Sequence, residues 1–297
     1  MAALAGCGSG GAAQSAPPRP TTTTTAAAAS RPALCGGRLR VRVTGRVASG
    51  AARELSGLVL SRSRPGVLWT HNDSGDSPRL LAIRSSGATV AEVALTGAEN
   101  VDWEDIAAGP GGALLVGDIG DNLARRPSVV VLRVPEPQTS GTVAVAARYE
   151  LRYPDGARDA EALLFDRSSG TIVIVSKSYG GQAGVYAARR PSSQRVTTLR
   201  RSATVKLGPV EPVTAGDVSA DGRTIALRTY DQTYVWRRRA GESVAAALRR
   251  RPCRAADLFD EGQGEALALT RDGRAFITVP EGPRPALRRY ESSGGVP

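Results

Sequence analysis

The sequence predicts an all-β fold, a β-propeller of five four-stranded blades whose ring is closed by an N-terminal strand. Three observations predict it. A strand–turn–strand pattern returns five times along the 297 residues, with openings at positions 54, 104, 161, 214 and 265. The openings are 50 to 57 residues apart, room for four short strands and their turns. Helical periodicity is absent over any comparable length.

In chain order, residues 1–35 come first and are read as a tail rather than as fold. After Met1–Gly11 the chain is almost wholly Ala, Thr, Pro and Ser up to Arg31. Such a tract buries too little apolar surface to offset its ordering entropy, so disorder is expected. Leu4-Ala5-Gly6-Cys7 reads as a lipobox with Cys7 as the lipidation site. The basic and apolar regions that should precede it are missing, so either the chain begins upstream of Met1 or the match is coincidence. Read as a tether, the tail places the protein outside the cytoplasm, lipid-anchored or secreted.

Residues 36–297 are read as one propeller domain. The strand-like stretch from Leu39 to Val47 precedes the first repeat. The repeats open at Glu54, Glu104, Glu161, Thr214 and Glu265, and their second strands start near Val67, Ala113, Thr171, Arg223 and Arg274. Further strand-like stretches begin at Val129, Ala146, Gly184 and Val196. The fifth repeat has a third strand from Ala286 and then the chain ends, so the stretch from Leu39 is expected to complete that blade. A degenerate sixth blade is the alternative.

Composition narrows the partners. The net charge is +11, but only Lys177 and Lys206 of the 39 basic residues are Lys. The arginines are scattered and no recognition module accompanies them, which argues against a nucleic-acid partner. No apolar run approaches eighteen residues, so a membrane contact would come only through the tail. A monomer is expected. Cys35 and Cys253 fit no zinc pattern beside the single histidine, His71. They are read as a disulfide locking the closure, with Cys253 in the lead-in to the fifth blade; unpaired buried thiols are the alternative. Closing so long a loop is worth about 4 kcal/mol.

Function is expected where polar residues converge. The first and second strands of a blade are antiparallel, so the start of one and the end of the other share a face. That face gathers Glu54, Glu104, Glu161 and Glu265 with His71, Asn72, Asp73, Asp118, Asp121, Lys177, Arg228, Tyr230 and Glu281. Asp102, Asp105 and Asp159 lie just upstream. Oxygen ligands around a channel suit a hard cation, Ca²⁺ before Mg²⁺. The expected ligands are Glu54, Asn72, Asp118, Glu161 and Glu265. In a purely structural reading the acidic residues accept backbone N–H groups of the next blade.

The blocks HNDSGD, DWEDIA, VGDIGDN, DAEALL, GDVSADGR and GQGEAL resemble a group of actinobacterial secreted or lipoprotein propellers of unassigned function. More distantly the chain is similar to esterase-like phytase-domain propellers and to gluconolactonase-like calcium propellers. The gluconolactonase likeness implies a Glu, Asn and Asp set on a central cation, here Glu54, Asn72, Asp118 and Glu265. The phytase likeness implies several basic residues in one site, and only Lys177 and Arg228 qualify. Two functions from different classes follow. The first is a metal-dependent hydrolase of a small ester, lactone or phosphoester, with His71 or Glu104 as general base and Lys177 or Arg228 steadying negative charge. The second is a non-catalytic propeller holding a glycan, peptide or metal at the same rim.

Overall fold

The computed structural model describes residues 1–8, 32–35, 38–208 and 211–292, so most of the Ala/Thr/Pro linker lies outside the described residues. Cys7 is exposed and unpaired.

The strands run in chain order as follows. β1 (Leu39–Arg46) comes first. Blade one is β2 (Leu55–Leu60), β3 (Val67–Asn72), β4 (Arg79–Arg84) and β5 (Thr89–Thr96). Blade two starts with β6 (Trp103–Ala108), β7 (Ala113–Asp118) and β8 (Val129–Pro135), makes the short β9 (Gly141–Ala144), and finishes with β10 (Ala147–Arg152). Blade three is β11 (Ala160–Asp166), β12 (Thr171–Ser176), β13 (Gln182–Arg189) and, after the two-residue β14 (Thr197–Thr198), β15 (Arg200–Lys206). Blade four is β16 (Val213–Val218), β17 (Thr224–Thr229), β18 (Gln232–Arg237) and β19 (Cys253–Asp257). The single-turn helix α1 (Val244–Ala247) lies between the last two. Blade five is β20 (Ala266–Leu269), β21 (Ala275–Val279) and β22 (Ala286–Ser292), and β1 pairs antiparallel with β22 as its outer strand. Five blades with N-terminal closure are therefore what the chain builds. The inner strands β2, β6, β11, β16 and β20 pack on one another in turn around the channel, and β20 returns to β2.

Period-two alternation explains why the inner strands are apolar on both faces. In β11, Ala162 and Leu164 point into the seam with blade four, whereas Leu163 and Phe165 point into the seam with blade two. Described buried apolar side chains fall into one cluster per seam between neighbouring blades. The outer strand β5 alternates buried and exposed positions because only one of its faces is covered.

Two sheets carry a fifth strand that the four-strand expectation did not include. β9 leaves blade two to pair in parallel with β5 of blade one, and β14 leaves blade three to pair in parallel with β10 of blade two. α1 leaves blade four to bury Val244 and Ala247 in the blade three–four cluster. Each of these pieces lies over the preceding blade.

The disulfide joins Cys35 to Cys253, with Cα atoms 5.9 Å apart. Its position corrects one expectation. Cys253 opens β19, so the bond ties the segment before β1 to the outer edge of blade four, not to blade five. It thereby bridges the seam next to the ring closure. Cys253→Ser should cost about 2–4 kcal/mol, read as a lower urea midpoint with a steeper slope, because the unfolded chain loses its cross-link. A variant as stable as the parent would show that the closure does not depend on it.

Candidate functional site

The site is set by an irregularity repeated in the inner strands. The ladder between first and second strand slips by one residue at Gly57 in blade one, Glu104 in blade two, Glu161 in blade three and Thr214 in blade four. A bulged residue has no partner opposite it, and its side chain is re-aimed. Glu104 and Glu161 are thus turned to the mouth of the channel. In blade five Glu265 lies just before β20 and bridges to Ser56 of blade one. The neighbouring strands are pinned by Gly57 N–H to Glu265 O at 3.2 Å, Ser56 Oγ to Glu104 O at 2.6 Å, and Thr214 Oγ1 to Gly264 O at 3.0 Å.

Two further carboxylates join them one step beyond the regular pairing. Asp73 N–H bonds to Glu54 O at 2.8 Å, and Lys177 N–H to Asp159 O at 3.0 Å. These bonds carry the blade ladders to the rim and place Asp73 and Asp159 there. Carboxylate oxygens of Asp73, Glu104 and Glu265 lie within 4.8 Å of one another, as do those of Glu104, Asp159 and Glu161. Glu104 belongs to both groups.

The electrostatics follow from packing so many carboxyls in a half-dry mouth. Burial, with repulsion from Glu161, Asp73, Asp102 and Glu265, holds Glu104 well above its ordinary range. Glu161 is raised as well, by burial and by Glu265, although Lys177 acts against the rise. Burial and the Glu265 charge push Asp73 up to about 7, and burial and Asp159 push Asp102 up to about 6. Burial and a hydrogen bond with Glu265 push Glu281 up to about 9. Lys177 ion-pairs with Glu161 and lies 5.6 Å from the Tyr230 ring centroid, while Tyr230 Oη donates to Glu265 Oε1 at 3.1 Å. Burial works against the Lys177 ammonium, yet Glu161 more than offsets it and raises the group. Gly120 makes room for the crowding: a Cβ there would meet Glu104 Oε1 at 2.2 Å and Asp102 Oδ2 at 2.5 Å.

Several residues expected at the site are committed elsewhere. Glu54 is exposed at the edge of the same mouth, where its charge acts on Asp73 and Glu281, and the bulge position of its blade is held by Gly57. Asn72 is spent on its own loop, accepting from Arg53 N–H at 3.1 Å and donating to Ala51 O and to Asp76 Oδ2, both at 2.6 Å. Asp118 pairs with Arg126 at 2.8 Å and accepts the Asp102 N–H at 3.1 Å. Neither Glu54 nor Asp118 enters either carboxylate group, whereas Glu161 and Glu265 do. His71 is fully buried below the rim, with Nδ1 3.0 Å from Asn72 O and its ring edge-on to Trp103 at 5.4 Å. Burial pushes it down to about 4, so it is neutral at pH 7. Arg228 is wholly buried in the seam between blades four and five, paired with Glu261 at 2.9 Å and donating to Ala266 O at 3.1 Å.

The structural role expected of acidic residues is real, but it falls to other positions. Asp105 accepts N–H groups of Ile106 and Leu163 at 2.8 Å each and of Gly216 at 3.2 Å, joining blades two, three and four inside the channel. Asp217 accepts from Val218 at 2.7 Å and from Leu269 of blade five at 2.8 Å. Asp217 lies in the GDVSADGR block but was not among the candidate site residues read from the sequence. At the opposite mouth a cavity of about 340 Å³ is lined by Arg62, Arg167 and Arg238 beside Asp217 and Asp221. The two mouths therefore differ in character, one crowded with carboxylates and the other bearing guanidinium groups.

Among solved structures the chain is similar to a gluconolactonase from Xanthomonas campestris, described as important in glucose secondary metabolic pathways. The TM-score is 0.47 at 12% identity, over 87% of this chain and 91% of that one. A candidate gluconolactonase solved by structural genomics gives a TM-score of 0.50 at 14% identity, over 89% of this chain and 97% of its own. At these identities the likeness is one of fold. No protein-family model matches the chain, and no curated protein matches it.

Proposed function

We propose that this propeller is an extracytoplasmic, metal-dependent hydrolase of a small neutral ester, a lactone in the first instance. The observation that carries the reading is the pair of carboxylate groups sharing Glu104 at one mouth of the channel. Ca²⁺ takes oxygen ligands at about 2.3–2.6 Å, so two ligands of one ion lie at most about 5 Å apart. The oxygens of Asp73, Glu104 and Glu265 meet that condition, and no nitrogen or sulfur ligand is among them. A hard cation therefore fits the donor set, Ca²⁺ before Zn²⁺. When bound, such an ion polarises a carbonyl oxygen and acidifies a bound water.

The chain's own residues supply the rest. Asp102 is in neither carboxylate group and crowds Gly120 beside Glu104, which leaves a free carboxylate at the mouth to take a proton from an attacking water. Lys177 is the cation placed to steady negative charge on the substrate oxygen. A neutral substrate is favoured because Arg228 is withdrawn into its seam and Arg126 is taken by Asp118. A phosphoester would meet repelling carboxylates with little basic help. The neighbours described as gluconolactonases support a lactone as the first substrate to test. The disulfide is compatible with an oxidising compartment. No helix among the described residues is long and apolar enough to cross a membrane, and a lipid on Cys7 would supply an anchor.

The test is hydrolysis of five- and six-membered lactones followed by pH-stat, with and without chelator. Calcium-dependent turnover is expected, and Asp102→Asn should lower kcat by about 10²–10³ with KM little changed. A chain that carries its cation yet opens none of these rings would overturn the hydrolase reading.

A further inference from the structure

We infer that the carboxylate mouth holds two cations bridged by Glu104, rather than one. The inference rests on the metal-dependent reading of the site and deepens it. Asp73 and Glu265 form one group with Glu104, and Asp159 and Glu161 form another, but the five do not close into a single group within 4.8 Å. An ion with ligands at about 2.4 Å cannot span oxygens farther apart than about 5 Å, so a single ion satisfies one group and leaves the other bare.

Three observations mark the second group as a site in its own right. Glu161 is almost fully buried, and its Oε2 has no hydrogen-bond partner although Lys177 takes the Oε1 side. A buried charged oxygen without a partner is costly, and a cation beside Glu104 and Asp159 would satisfy it. Glu104 lies between the two groups, in the position of a bridging carboxylate. Its carboxylate packs against Gly120. Charge points the same way. The five carboxylates and the Lys177 ammonium carry a formal charge of about −4, before the Asp102 carboxylate beside them is counted, and one divalent ion leaves at least half of it in place. Two ions sharing one carboxylate would stand about 4 Å apart, the spacing at which paired metals clamp the attacking and leaving oxygens of one substrate.

The experiment is a calcium titration of the full chain, stripped by chelator, followed by calorimetry and by elemental analysis of the reloaded protein. Two equivalents are expected for the parent. Glu265→Gln should lose one equivalent and keep the other, and Glu161→Gln should do the same for the second group. Glu104→Gln should weaken both by about 10²-fold or more. Asp159→Asn repeats the second test without unpairing Lys177, and far-UV circular dichroism identifies any variant that has failed to fold. A single equivalent in the parent, lost equally in Glu265→Gln and Glu161→Gln, overturns the paired site and leaves the one-ion hydrolase standing. No bound calcium at all overturns both readings.

Discussion

Replacing Arg228 with Met should lower stability by about 3–5 kcal/mol, roughly 10 °C in melting temperature for a chain of this size, without emptying the carboxylate mouth. The reason is the company Arg228 keeps. Its guanidinium faces Glu261 with both side chains fully buried, and Glu261 Oε1 also accepts Thr278 Oγ1 at 2.7 Å and Tyr290 Oη at 2.6 Å. Gly264 is required beside it, because a Cβ there would meet Arg228 Nη2 at 1.5 Å. Losing the arginine strands a carboxylate in a dry seam, which costs more than the pair itself contributes. Replacing both partners, Arg228→Met with Glu261→Leu, should therefore recover part of the loss. Urea unfolding of the single and double variants decides it. A stable single variant with abolished hydrolysis would put Arg228 back at the site.

Without its cation the protein should become less stable as pH rises from about 5 to 9, and calcium should remove most of that dependence. Asp102, Asp73 and Glu281 are held near 6, 7 and 9 in the fold, against about 4 in an unfolded chain. They bind protons more readily folded than unfolded. Their contribution is complete below pH 4 and is lost as pH climbs through those folded values. Asp76 and Asp166 behave oppositely, because hydrogen bonds and arginine partners hold them low, so acid removes what they contribute. The apo protein should thus be most stable near pH 5. A divalent ion replaces the protons that relieve the crowding, so the gap between loaded and stripped melting curves should widen with pH. Melting at pH 5, 7 and 9 with calcium or chelator measures it, and parallel curves would show that the mouth binds no cation.

The blades were legible in the sequence because every inner strand must bury both faces, and that requirement leaves repeated apolar runs punctuated by glycine turns. Glu161 and Glu265 were legible because they open such runs. Glu54 imitates that position, whereas in blade one the bulge falls on Gly57, which carries no side chain. Asn72, Asp118 and Arg228 were recognisable as polar residues near strand ends, but their partners Asp76, Arg126 and Glu261 are contacts no spacing reveals. Asp73 and Asp159 were read at this rim but not chosen as ligands, and what brings them to the mouth is strand pairing that continues one residue beyond the last apolar position. Cys253 was assigned to the wrong blade because α1 delays the outer strand of blade four, so β19 looks like the start of something new.

The pieces that reach back over the preceding blade have a consequence for how this protein can change. β9 edges blade one but is encoded within blade two, β14 edges blade two but is encoded within blade three, and α1 fills a seam of blade three from within blade four. A stretch of sequence is therefore not a self-contained module. Deleting residues 103–152 would remove one blade and also unclothe its neighbour. The ring should accept insertions at hairpin tips more readily than loss or duplication of a blade, so its descendants should keep their blade number while their rim loops diversify.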